Sequence, residues 1–199
     1  MNRSSQVRFS DEKRFCLWND GPVTVWRKRH QRYVQGYTQA TKKDRRSIMA
    51  WLCIASDGTS MLLRCPDRMD SQGYITEILT PALRFITKAR AKGAPAVLFQ
   101  QDGASCQTSK ATESFLTKKK VLVLPDWPAQ SPDLNLVENC WAMVAHTLVG
   151  QSFKSGDDLF LAVQKAWAGV PAATVAKLYG SMVRRLTAIT VAKGGNTRY

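Results

Sequence analysis

Apolar Val7 and Phe9 alternate with polar Arg8 and Ser10 at the start of VRFSDEKRFCL, and residues 7–17 predict a first strand. Asn19, Asp20, Gly21 and Pro22 mark a turn, and residues 23–27 predict a second strand opposite the first. A basic connection rich in Gln and Thr follows over residues 28–46. Residues 47–56 then give a further strand, Asp57 and Gly58 a turn, and residues 60–65 another strand of alternating polarity. The period changes from Asp70. Tyr74, Ile75, Ile78, Leu79, Leu83, Ile86 and Ala89 recur at helical spacing, with Pro81 predicting a kink or a break between two helices. Gly93, Ala94 and Pro95 end that segment.

The run over residues 96–101 is nearly continuous in apolar character and suits a central strand. Residues 108–119 predict a helix, 121–124 a second buried strand, and 125–130 a turn. Gln130 or Ser131, of which Ser131 is the better cap, then opens a helix with Pro132 and Asp133 in its first turn. At 100° per residue, Leu134, Val137, Trp141, Val144, Ala145 and Leu148 share its buried face. Phe160, Val163, Trp167, Val175, Leu178, Tyr179 and Met182 carry helical spacing through residues 157–186, which Pro171 divides. Strand meander followed by alternating helices and strands argues for a mixed α/β sheet covered by helices.

A length of 199 residues fits one domain with a real core, and 44% hydrophobic with 22% charged residues places it among globular proteins. No eighteen-residue apolar run is present and the first residues lack the apolar core of a secretory signal, so neither membrane spanning nor secretion is expected. Cys16, Cys53, Cys65, Cys106 and Cys140 are odd in number and widely spaced. They read as reduced thiols of an intracellular protein and, with only His30 and His146 beside them, do not compose a zinc pattern.

Lys and Arg outnumber Asp and Glu by 29 to 15, a formal charge of +14 that favours a polyanionic partner, nucleic acid before membrane. The excess is grouped at Arg27, Lys28, Arg29 and Arg32, at Lys42, Lys43, Arg45 and Arg46, at Lys88, Arg90 and Lys92, and at Lys118, Lys119 and Lys120. No long basic amphipathic helix with an aromatic face is evident, which argues against a membrane surface.

Three acids fall where chemistry is possible. Glu138 lies at the margin of the apolar face of its helix, where a desolvated carboxylate needs a cation or hydrogen bonds. Asp11 shares a strand face with Val7 and Phe9, whereas Glu12 falls with Arg8 and Ser10 on the other face and is expected to be solvated. Asp102 closes a buried strand and is followed by Gly103, where the chain can turn sharply. Carboxylates brought together from neighbouring strands repel, and a divalent cation offsets that repulsion. With only oxygen ligands on offer, Mg²⁺ or Mn²⁺ fits and zinc does not. Beside a basic surface, such a site matches two-metal phosphoryl transfer on nucleic acid.

FSDEKRF, LFQQDGASCQTS and WPAQSPDLNLVENCW resemble the three catalytic blocks of the mariner superfamily of DNA transposases, and SMVRRLTAITVAKGGNTRY resembles the carboxy-terminal ending of its nematode-type branch. The third block is the most specific, with Trp127, Pro128, Ser131, Pro132, Asp133, Leu134, Asn135, Glu138, Asn139 and Trp141 all fitting. The resemblance implies a ribonuclease-H-like mixed sheet flanked by helices, and Asp11, Asp102 and Glu138 as catalytic acids holding two Mg²⁺ or Mn²⁺ ions. It makes Asp133 a residue of the helix start, Trp127 and Pro128 shapers of the turn, and Trp141 the residue that packs the helix on the sheet. It further implies double-stranded DNA, as transposon ends and target, a homodimer, and action in the nucleus.

Thirty-five residues separate Asp102 from Glu138, one more than is usual in the nematode-type branch. Gly103 and Gln107 stand at the site-support positions where the family commonly has asparagine and histidine; Gln107 can hydrogen-bond but takes no proton at neutral pH, and the departure is what favours a degenerate copy. The family carries paired helix-turn-helix domains ahead of the catalytic domain; residues 1–199 are expected to form a single catalytic domain without them. The basic clusters should then give phosphate contact rather than base readout. Two alternatives remain in view: a degenerate or domesticated DNA-binding protein without activity, and a nuclease of the ribonuclease H class.

Overall fold

The computed structural model describes residues 6–17, 46–88, 96–128 and 131–192. The expected turn at residues 19–22, the strand at 23–27, the clustered bases Arg27, Lys28, Arg29, Arg32, Lys42, Lys43 and Arg45, and Arg90 and Lys92 lie outside the described residues.

Five strands, β1 (Val7–Cys16), β2 (Ser47–Ile54), β3 (Ser60–Arg64), β4 (Leu98–Phe99) and β5 (Leu122–Val123), form one sheet in the order β3-β2-β1-β4-β5. β1, β2 and β3 pair antiparallel, while β4 lies parallel to β1 and β5 parallel to β4, so the sheet is mixed. The long β1 sits at its centre. Strict alternation along β1 sends Val7, Phe9 and Phe15 into one apolar cluster, and the opposite face of the sheet packs a second cluster around Trp51, Cys53 and Phe99.

Helices close both faces. The second cluster is covered by a helical run made of α1 (Ser71–Gly73), a π-helical segment (Tyr74–Leu79) and α2 (Thr80–Thr87), together with α3 (Lys110–Lys118). Pro81 does not break the run, which stays helical from Ser71 to Thr87. The widened turn before it, in which the Thr80 N–H reaches back to the Ile75 carbonyl, makes room for a ring that would crowd an ordinary α-turn. The first cluster is covered by α4 (Leu136–Thr147), α5 (Gly156–Ala168) and α6 (Ala172–Ala192); α5 ends before Gly169, and Pro171 stands just ahead of α6, where a missing N–H costs nothing. Trp141 of α4 is fully buried and meets Phe15 edge to face at 5.6 Å, which seats the helix on the sheet. Tyr179 of α6 donates through its hydroxyl to the carbonyls of Val7 and Ile54, both at 2.9 Å, and so bolts the last helix to β1 and β2. No single helix among the described residues is long and apolar enough to cross a membrane.

Two expectations are corrected. Residues 121–124 do not form a buried strand: Leu122 and Val123 are exposed because β5 lies at the edge of the sheet, and only Val121 is buried. The helix carrying Glu138 starts four residues after Ser131. Ser131 to Leu134 form a turn of their own, closed by the Leu134 N–H on the Ser131 carbonyl at 3.1 Å, and Asn135 is the cap, its side chain accepting from the Val137 N–H at 3.1 Å. Asp133 therefore precedes the helix instead of sitting in its first turn, and that position belongs to Glu138.

Candidate active site

β4 pairs with β1 only as far as Phe99 opposite Arg8, and beyond that point the chain leaves the sheet toward Asp102. The departure opens a cleft along β1 beside Asp11. Gly103 makes the departure possible with φ of +86°, a conformation that costs a side chain about 1–2 kcal/mol and costs glycine little. Asp102 steadies the same turn by accepting from the Ala104 N–H at 3.2 Å. From the other side, α4 presents Glu138 in its first turn, where the helix dipole favours a carboxylate.

Asp11, Asp102 and Glu138 thus line one open hollow of about 320 Å³, with Gly103, Ala104, Trp127, Ser131, Pro132 and Asn135 completing its wall. Trp127 is half-buried and leans on Phe9 edge to face at 5.9 Å, fixing the turn before α4 against β1. Asp11 is only 9% exposed. Burial, then the nearby Glu138 and Asp102 carboxylates, push its carboxyl up to about 7, against smaller opposing effects of the Glu12 backbone N–H and the Trp141 indole. That indole N–H is buried and, although near Asp11, finds no partner in full hydrogen-bond geometry.

Glu12 was missed as a site residue. Pleat alternation correctly turns it from Asp11, yet it is only partly exposed and joins the acids: oxygens of Asp11, Glu12 and Asp102 all lie within 4.8 Å of one another. The ladder to β4 has ended by this point, so a long side chain on the far face reaches round to the cleft. Gln107 holds it there, donating from its amide to both carboxylate oxygens at 3.2 and 3.4 Å while its own oxygen accepts from the Gly103 N–H at 3.0 Å. Burial and the charges of Asp102 and Asp11 push Glu12 up to about 8 despite that bond. A buried glutamine five residues after an acid was the one available signal. Gly103 and Gln107 accordingly fall beside the acids.

Among the described residues, no basic side chain lines this hollow. Lys118, Lys119 and Lys120 are exposed at the far end of α3, roughly 13 Å of helix from the Asp102 loop. Lys88 is also exposed. Arg46 lines a different hollow, of about 330 Å³, with Arg14 and Arg64, the latter paired with Asp157.

A mixed sheet of this order, helices on both faces and acids at its centre define a ribonuclease-H-like fold of the kind found in transposase catalytic domains. The chain belongs to the DDE superfamily of endonucleases, whose family match runs over residues 6–160. It is 33% identical over 193 residues to the Tc1 transposase of Caenorhabditis elegans, an alignment covering 96% of this chain and 69% of that protein. With the Tc3 transposase of the same organism it shares 28% identity over 207 residues, covering 98% of this chain and 58% of the relative. The fold matches a pre-cleavage Mos1 transpososome with a TM-score of 0.78 at 19% identity, over 98% of this chain and 58% of that one. It also matches the catalytic domain of Mos1 mariner transposase, with a TM-score of 0.72 at 18% identity, over 98% and 85% respectively. The chain therefore spans little more than half of a solved Mos1 chain from the DNA complexes.

Proposed function

We propose that residues 1–199 form the catalytic domain of a DNA transposase in which Asp11, Asp102 and Glu138 hold divalent metal, cut a phosphodiester at a transposon end, and join the freed 3′-hydroxyl to target DNA. The observation that carries this reading is the convergence of the three carboxylates on one hollow from a central strand, the end of its parallel neighbour and a covering helix. Relatives named as transposases support it, as do Mos1 complexes described with Mn and with Mg.

The donor set fits a hard cation. Every candidate ligand is a carboxylate oxygen, those of Asp11, Glu12 and Asp102 lie within 4.8 Å of one another with Glu138 lining the same hollow, and their mutual repulsion is what a divalent ion relieves. When bound, Mg²⁺ or Mn²⁺ supplies an activated attacking oxygen and neutralises charge developing on the phosphoryl group and the leaving oxygen. The chain's own part is positional. The rigid centre of β1 fixes Asp11, the Gly103 turn aims Asp102, and the first turn of α4 brings Glu138 to the open side. Glu12, restrained by Gln107, adds a fourth carboxylate behind them. The openness of the hollow suits a bulky duplex, and a net charge of +14 favours DNA phosphates, with Arg46 and Lys118, Lys119 and Lys120 as contacts within the described residues. The bases at 27–32 and 42–45 extend the same role. The working unit is a homodimer that holds both element ends, and its place of action is the nucleus.

Nicking of a supercoiled plasmid by the 199-residue chain tests the reading. Nicking is expected with millimolar Mn²⁺, none with EDTA, and none from Asp11→Asn, Asp102→Asn or Glu138→Gln in Mn²⁺. Equal nicking by all three variants would overturn it.

A further inference from the structure

β1 should present bare backbone to the cleft where β4 leaves it, since a strand edge without a neighbour has unpaired N–H and C=O groups. At Ser10 it does not. The Ser10 N–H donates to the Gln100 side-chain oxygen at 3.0 Å, its hydroxyl donates to the Gln100 carbonyl at 2.7 Å, and its carbonyl accepts from the Asn135 amide at 3.1 Å. Two side chains thus stand in for the missing strand. All three residues are buried, at 1%, 0% and 5% exposure. Ser10 lies one residue before Asp11, Gln100 two before Asp102, and Asn135 three before Glu138.

We propose that Ser10, Gln100 and Asn135 form a positioning junction that sets the spacing of the three acids and hence their grip on metal. The inference rests on the metal reading above. Ser10 touches neither the hollow nor the acids' oxygens through any recorded hydrogen bond; it acts through the elements it ties. Folding alone would not choose this arrangement, because the amide nitrogen of Gln100 is buried without a partner, whereas continued pairing with a strand would have left no side-chain amide inside. What the arrangement achieves is a fixed gap: β4 is free to turn away toward Asp102 while staying registered to Asp11, and α4 is registered to the same residue. Asn135 does this while also capping α4 through its side-chain oxygen, so its two ends can be tested apart.

Asn135→Ser keeps a neutral side chain with a good cap acceptor but is too short to donate to the Ser10 carbonyl. Ser10→Ala removes only the hydroxyl donor, and Ser10→Thr restores it. Mn²⁺ affinity is read by the electron paramagnetic resonance of the free ion, alongside thermal melts in EDTA. Asn135→Ser is expected to fold in EDTA with a melt lowered by the orphaned Ser10 carbonyl and to bind Mn²⁺ about tenfold more weakly, as loss of an outer partner of a metal site does. Ser10→Ala should weaken binding in the same sense and Ser10→Thr should recover it. Mn²⁺ affinities within twofold of wild type for Asn135→Ser and Ser10→Ala, in a protein where Asp11→Asn abolishes binding, would overturn the junction alone. Unchanged binding by Asp11→Asn as well would overturn the metal site and the junction together. Should Asn135→Ser fail to fold, the Ser10 pair decides.

Discussion

Asp11→Asn is expected to stabilise the metal-free protein at alkaline pH. In the folded state Asp11 is pushed up to about 7 from an ordinary 3.8, by burial and by Glu138 and Asp102. Between those values the folded chain holds a proton that the unfolded chain has released, so raising the pH favours unfolding. The penalty is absent below the unfolded value and complete above the folded one. A displacement of about three units corresponds to about 4 kcal/mol at most, of which about 2.5 kcal/mol develops between pH 5 and pH 8. Asparagine keeps the shape and has no proton to lose. For a chain of this size the ceiling corresponds to roughly 8–16 °C of melting temperature. Melts in EDTA at pH 4, 5, 6, 7 and 8 are expected to show the variant near the wild type at pH 4 and clearly above it at pH 8. Glu12, pushed up to about 8 from 4.5, leaves a weaker slope of the same sign in the variant. Adding Mn²⁺ at pH 8 should raise the wild-type melt and not that of the variant, because a bound ion favours the carboxylate form. A variant less stable than wild type at pH 8 in EDTA, or a wild-type melt flat from pH 4 to pH 8, would refute the reasoning.

Three further outcomes follow from the geometry. Glu138→Gln should keep the fold and DNA binding while losing nicking, since the amide still fits the first turn of α4 but no longer holds a cation; full nicking by that variant would contradict its assignment. Arg185→Met should cost about 3 kcal/mol in urea unfolding, because a buried guanidinium in α6 now bonds the Asp133 carbonyl at 2.7 Å and the Asn139 side chain at 2.6 Å, clasping both ends of the segment around Glu138. Arg185→Lys should not rescue it, as one ammonium cannot span both acceptors. Binding of an arbitrary DNA duplex should weaken with salt, the logarithmic slope growing by about 0.9 for each phosphate contact; a flat slope would exclude the basic surface as a DNA contact.

The strands and helices were legible wherever one periodicity ran long enough. β1 opens with alternating apolar and polar residues, β2 is a nearly continuous apolar run, and α4 to α6 carry apolar stripes, so their existence and order followed from pattern. Asp102 was expected to close a buried strand, but β4 ends at Phe99 and Asp102 is exposed in the loop beyond it; the sharp turn expected at Gly103 is present. What escaped was set by contacts between distant segments. The start of α4 at Asn135 depends on an amide that also binds β1 125 residues away, and local capping preference favoured Ser131 instead. Pro81 was expected to kink or break the helix, and the helix instead runs on past it through one wide turn. Glu12 looked solvated because alternation says which face a side chain leaves from and nothing about where the neighbouring strand stops. The exposure of β5 likewise depends on sheet order, which apolar runs do not encode.

Anomalous diffraction from crystals of this chain soaked in Mn²⁺ tests the central claim most directly. The account predicts one or two peaks in the hollow, with Asp11 and Asp102 as shared ligands and Glu138 closing the open side. Ions bound by Asp11, Glu12 and Asp102 with Glu138 turned away, or peaks confined to other parts of the surface, would contradict it.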